Sequence, residues 1–137
     1  MDRGLIYLRY WMVISAVMYF TGMLVFLFGQ NRLLEQINNV SERLFKERFP
    51  KIPLSSEKFW LVLTTSMMLM LVVICVFVGY KPDAFLEMVI ILLVSKFCST
   101  SFYMVLFVKE RYFAHLIGAL TDGPLFLITL FFFLRAV

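Results

Sequence analysis

From Tyr10 to Asn31 the chain carries no charged side chain, and from Phe59 to Tyr80 it again carries none. A helix needs about 20 predominantly apolar residues to cross a hydrocarbon core of about 30 Å, and both runs meet that length. Two further apolar stretches follow, at about 84–108 and 112–134, with only isolated charges inside them. A bilayer offers no water to free backbone amides, so a spanning segment must pair them within itself as a helix or join a closed barrel. A barrel strand alternates apolar and polar residues, and none of the four runs alternates. The expected fold is an all-α integral membrane protein, a four-transmembrane-helix bundle with spans at about 5–28, 59–80, 84–108 and 112–134.

Composition agrees. The chain of 137 residues is 62% hydrophobic, against about 45–50% for a soluble globular protein. That excess needs lipid or partner subunits to cover it. The length allows one membrane domain over residues 1–137. The first span is too long for a signal-peptide core and no clean cleavage site follows it, so it reads as a retained helix. Tyr7, Tyr10 and Trp11 stand at its start, where interfacial aromatics belong. Ser15, Gly22 and Gly29 recur every seven residues, a line of small side chains that lets another helix approach.

The connections differ in kind. In the first loop, Leu33, Ile37, Val40 and Leu44 follow helical spacing, while Arg32, Glu35, Glu42, Arg43, Lys46 and Glu47 supply polar faces. An amphipathic helix is expected over about 31–49, lying flat on the interface or docked on a partner, and ended by Pro50. Pro53 keeps the next stretch irregular, and Ser55 or Ser56 with Glu57 suits the start of the second span. Lys81-Pro82-Asp83 is a turn signal. Lys109-Glu110-Arg111 is short enough to force the last two spans into an antiparallel hairpin.

Basic residues set the expected orientation. Arg3, Arg9, Lys81 and Arg135 fall on the side of the termini; Arg32, Arg43, Lys46, Arg48, Lys51, Lys58, Lys109 and Arg111 fall on the other. Positive loops stay cytoplasmic, which places both termini on the non-cytoplasmic side. The small size and lack of soluble domains fit a bacterial inner membrane.

Two charges break the apolar pattern. Lys96 lies about 18 Å from either end of its span, and Asp122 about 15 Å into the next span from the shared turn. A lone Lys or Asp at the centre of a spanning helix costs about 2.5–3.5 kcal/mol. Opposite signs at matching depth on adjacent antiparallel helices predict a buried Lys96–Asp122 ion pair. Ser99, Thr100 and Tyr103 continue the Lys96 face as a polar seam, with Ser95 beside it. His115, Gly118, Ala119 and Asp122 share a face of the last span by i, i+3, i+4, i+7 spacing, and Thr129 extends it. Gly123 and Pro124 follow the acid directly. Proline removes a backbone donor and clashes with the preceding turn, so a kink or break is expected there, as in transporters that build sites from broken helices.

Catalytic chemistry finds no constellation. The single histidine, His115, stands roughly 10 Å along the axis from Asp122, so a shared reaction centre for a lipid- or quinone-acting enzyme is not expected. Cys75 and Cys98 form no CxxC. No phosphate loop, haem-ligating pair of histidines, metal motif or basic-aromatic nucleic-acid surface is present, and no cofactor is expected. The expected partners are membrane lipids and either further copies of the chain or a larger membrane complex. The expected role is a non-catalytic accessory, assembly or scaffold component. The alternative is a small oligomeric transporter or proton- or ion-linked protein using Lys96, Asp122 and the helix break.

Overall fold

The structure, a computed structural model, describes residues 3–46, 48–56 and 58–137. Helix α1 spans Arg3–Phe45, α2 Lys58–Tyr80, the single turn α3 Pro82–Phe85, α4 Met88–Glu110 and α5 Phe113–Ala136. No strand occurs among the described residues. Four helices, α1, α2, α4 and α5, are long and apolar enough to cross a membrane.

The first loop differs from expectation. The segment beyond the first apolar run is helical, but it is the continuation of α1 and it stops at Phe45. What separates the two parts is Gly29, with non-helical φ −140° and ψ 20°. Phe45 lies sixteen residues past Gly29, about 24 Å along a helix. Its ring nevertheless stands 5.3 Å from that of Phe113, at the start of α5. The continuation therefore turns away from the bundle axis toward the α4–α5 end. Phe49 completes this contact against Phe107 and Phe113.

The chain then returns along α1 in extended form, held by two asparagines. The Asn38 side chain donates to Ile52 O at 3.1 Å and accepts from Ile52 N at 3.0 Å; Asn31 makes the same pair of bonds with Ser55 at 3.1 and 3.2 Å. Seven helical residues rise about 10.5 Å and three extended residues cover about 10 Å, so the two brackets stay in step. Glu47 and Glu57, assigned above to the polar face and the helix start, lie outside the described residues.

The other two connections also differ from expectation: the one after α2 is longer and the one after α4 is shorter. Pro82, at the first position of α3, takes the place where a missing N–H costs nothing, and Lys81 O accepts from Ala84 and Phe85. The third span consequently begins at Met88 rather than 84. Only Arg111 and Tyr112 separate α4 from α5. Arg111 adopts the left-handed conformation (φ 56°, ψ 24°) and donates its N–H to Phe107 O at 2.9 Å, closing α4.

The core is concentrated at the end of the bundle that holds the chain termini. Leu8 and Met12 of α1, Val78 of α2, and Val89 and Leu92 of α4 are fully buried. Helix α1 runs antiparallel to α5 so closely that a Cβ on Gly4 would collide with the carbonyl oxygen of Arg135. Toward the loop end the packing loosens: beyond Lys96, no residue of α4 is buried. Of the heptad stripe, Ser15 is buried and a Cβ on Gly22 would stand 2.9 Å from Met68 Cε, but Gly29 faces open space. Trp11, at the start of the first apolar run, also has a contact within the bundle. Its indole donates to Thr129 Oγ1 at 2.9 Å inside the α1–α5 contact, because a half-buried indole N–H needs an acceptor.

Candidate functional site

Three of the long helices meet at one polar cluster, midway along the bundle. Lys96 Nζ of α4 donates to Asp122 Oδ1 of α5 at 2.8 Å, with side chains only 11% and 15% exposed. Ser99 Oγ, one turn after Lys96, donates to Asp122 Oδ2. The Tyr19 ring of α1 also faces the ammonium, its centroid 4.7 Å away. Cys75 of α2 is fully buried in the core of the bundle. Each carboxylate oxygen has a donor and the cation has both a counter-charge and a π-face. That is the condition under which a buried ion pair is tolerated.

The register explains how the pair meets. Tyr103 packs on Gly118, and Thr100 Cγ2 would lie 3.6 Å from a Cβ on Gly123. Those contacts set Ser99 and Thr100 level with the Asp122–Gly123 step. Lys96 sits about one turn further from the α4–α5 turn, and its four-carbon arm covers the difference. Equal depth was thus correct to within a turn, and the offset is what admits Ser99 to the second carboxylate oxygen.

The other candidates divide. Thr100 shares the α4–α5 contact, but its hydroxyl is committed to Lys96 O at 2.8 Å, one helical turn back. Tyr103 lies flat on α5: a Cβ at Gly118 would stand 2.8 Å from its ring, so only glycine leaves room. His115 does not join the pair. Its Nε2 stands 3.0 Å from Glu110 Oε2 at the loop end, with Tyr103 and Tyr112 against the imidazole at ring separations of 6.2 and 5.6 Å. Tyr103 thus touches both the His115–Glu110 pair and the seam that leads to Asp122.

The expected break at Gly123 and Pro124 is absent. Helix α5 is continuous from Phe113 to Ala136 with Pro124 inside it. Proline costs a spanning helix one hydrogen bond, here to Leu120 O, and neighbouring helices can hold the geometry. The real departure from helical dihedrals is at Gly29 of α1, which the small-residue reading had treated as a packing position.

Tyr19 escaped the sequence reading, since an aromatic in an apolar run looks like core. The unused signal was Tyr19 in mid-span, where a phenol is out of place without a polar neighbour. Its hydroxyl and that of Ser15, one turn away, are buried without a protein partner. Among the described residues no group of His, Cys, Asp and Glu side chains is arranged to hold a metal ion.

The chain is thus all-helical among its described residues, with four helices long and apolar enough to cross a membrane and an ion pair held between two of them. The chain matches no family model, no curated protein and no solved structure.

Proposed function

We propose that this chain is an integral, non-catalytic component of a membrane complex, an accessory, assembly or scaffold subunit, whose Lys96–Asp122 pair fastens α4 to α5. The observation that carries this reading is that the pair is engaged from within the chain: Asp122 accepts from both Lys96 and Ser99, and the Tyr19 ring lies against the ammonium. A charge so engaged serves to select helix partners, the best-attested use of buried ionic groups. The outer faces of α2 and α4, with Val62, Val76, Val94 and Phe102 more than half exposed, offer apolar surface to lipid, to further copies of the chain or to other subunits. The basic loops favour a cytoplasmic first loop and non-cytoplasmic termini in a bacterial inner membrane. The continuation of α1 fits an interfacial helix, since Val40 and Leu44 remain 44% and 67% exposed on its apolar stripe.

A second reading, a proton- or ion-linked protein, draws on one specific observation. The Glu110–His115 pair at the loop end, Tyr103 against it, and Asp122 beyond form a line of protonatable groups along the α4–α5 seam. Flux measurements separate the two readings. Proteoliposomes holding wild type, Lys96→Met or Asp122→Asn are scored for pH-dependent ion flux, alongside affinity purification from the native membrane. The accessory role predicts no flux from any variant and stoichiometric co-purification of partner subunits. Flux from wild type that the folded variants lose would overturn it in favour of the second reading.

A further inference from the structure

A different region of the molecule carries features of a ligand site: the kink of α1. Here the helix departs from regular geometry at Gly29, and the start of α2 stands opposite. Between them lies an open cleft of about 340 Å³. Its lining combines the polar side chains of Arg32, Ser55, Ser56 and Lys58 with the apolar ones of Phe26 and Leu61, both half-buried. No carboxylate is among the described lining residues.

The geometry points to a binding site for the phosphate headgroup of an anionic phospholipid, with its glycerol and upper acyl chain against Phe26 and Leu61. Two cations and two hydroxyls are the donor set that phosphate oxygens require. Basic pockets between spanning helices bind acidic headgroups for that reason. The polar part of the lining is also prebuilt. Asn31 holds the Ser55 backbone through both its amide oxygen and its amide nitrogen, so Ser55 and Ser56 are positioned before any ligand arrives. Gly29 is part of the lining, and the space beside it is open.

Position supports a lipid as the source of the phosphate. The cleft straddles the junction between the apolar run that ends at Phe28 and the charged first loop, and on the α2 side Lys58 is followed at once by the apolar run from Phe59. A headgroup at that level would place its acyl chains alongside the apolar parts of α1 and α2.

The test uses the full chain in nanodiscs containing equal phosphatidylglycerol and phosphatidylcholine, followed by native mass spectrometry of retained lipid. Wild type should retain phosphatidylglycerol in about tenfold preference, as two charge-assisted contacts imply. The pair of substitutions Arg32→Gln and Lys58→Gln should abolish that preference. The control pair Lys81→Gln and Lys109→Gln, cations outside the cleft, should leave it intact. Circular dichroism shows whether each variant retains its helices. If the cleft pair does not fold, Ser55→Ala with Ser56→Ala takes its place and should weaken retention. Equal loss in cleft and control pairs would reduce the effect to general surface charge and overturn the site. So would undiminished preference in the cleft variants. Competition by glycerol 3-phosphate alone, as effective as the lipid, would overturn the lipid assignment in favour of a soluble phosphate. Loss of lipid preference leaves the Lys96–Asp122 reading untouched, since the two sites share no residue.

Discussion

The Tyr19 ring of α1 lies 4.7 Å from the Lys96 ammonium of α4, so a helix outside the α4–α5 hairpin takes part in holding the hairpin's charge. A cation desolvated against an aromatic face gains about 2 kcal/mol or more. The Tyr19 hydroxyl is buried and has no protein partner. Ring and hydroxyl therefore make opposite predictions. Tyr19→Leu should destabilise the purified protein by about 2 kcal/mol. Tyr19→Phe keeps the ring and removes an unsatisfied hydroxyl, and should be neutral or stabilising by about 1 kcal/mol. Reversible unfolding in mixed micelles measures both; a larger loss for Phe than for Leu would reverse the assignment.

Gly118 and Tyr103 give a steric prediction. A Cβ at residue 118 would stand 2.8–2.9 Å from three atoms of the Tyr103 ring. Overpacking of this kind costs about 1–3 kcal/mol. Gly118→Ala should lose that much, and Tyr103→Leu in the same chain should recover most of it. If the double variant is no more stable than Gly118→Ala, the ring is not what fills the space.

Much of this arrangement was legible in the sequence, for a physical reason. Charge is so costly in an apolar helix that Lys96 and Asp122 had to find each other, and the short connection at Lys109–Arg111 fixed which helices were neighbours. Ser99 and Tyr103 followed from helical spacing alone. Less legible were features that depend on where another element comes to rest. Trp11 reads only as an interfacial aromatic, and its bond to Thr129 depends on where α5 comes to rest. Pro124 predicts a break, yet the surrounding helices keep α5 continuous. Asn31 and Asn38 look like ordinary polar residues, and only the returning chain at Ile52 and Ser55 gives them a role. Gly29 reads as a packing position from its heptad spacing, and nothing in that spacing marks it as the place where α1 departs from helical geometry.

The α4–α5 turn offers a stabilising change. Arg111 has a positive φ of 56° and caps α4 in the left-handed conformation, a position where glycine avoids a penalty of roughly 1 kcal/mol. Arg111→Gly should raise stability by about that amount and Arg111→Ala should not. Paired thermal melts decide it: equal behaviour of the two variants would mean that the left-handed conformation is not strained.

The fastening role of the ion pair is tested most directly by a double-mutant cycle on Lys96→Met and Asp122→Asn, scored as unfolding free energy in mixed micelles. Each single change leaves a buried group without its counter-charge and should cost about 3–5 kcal/mol. The double variant should cost well below the sum, with a coupling of at least about 2 kcal/mol. Additive losses, with coupling near zero, would contradict a pair that holds α4 to α5.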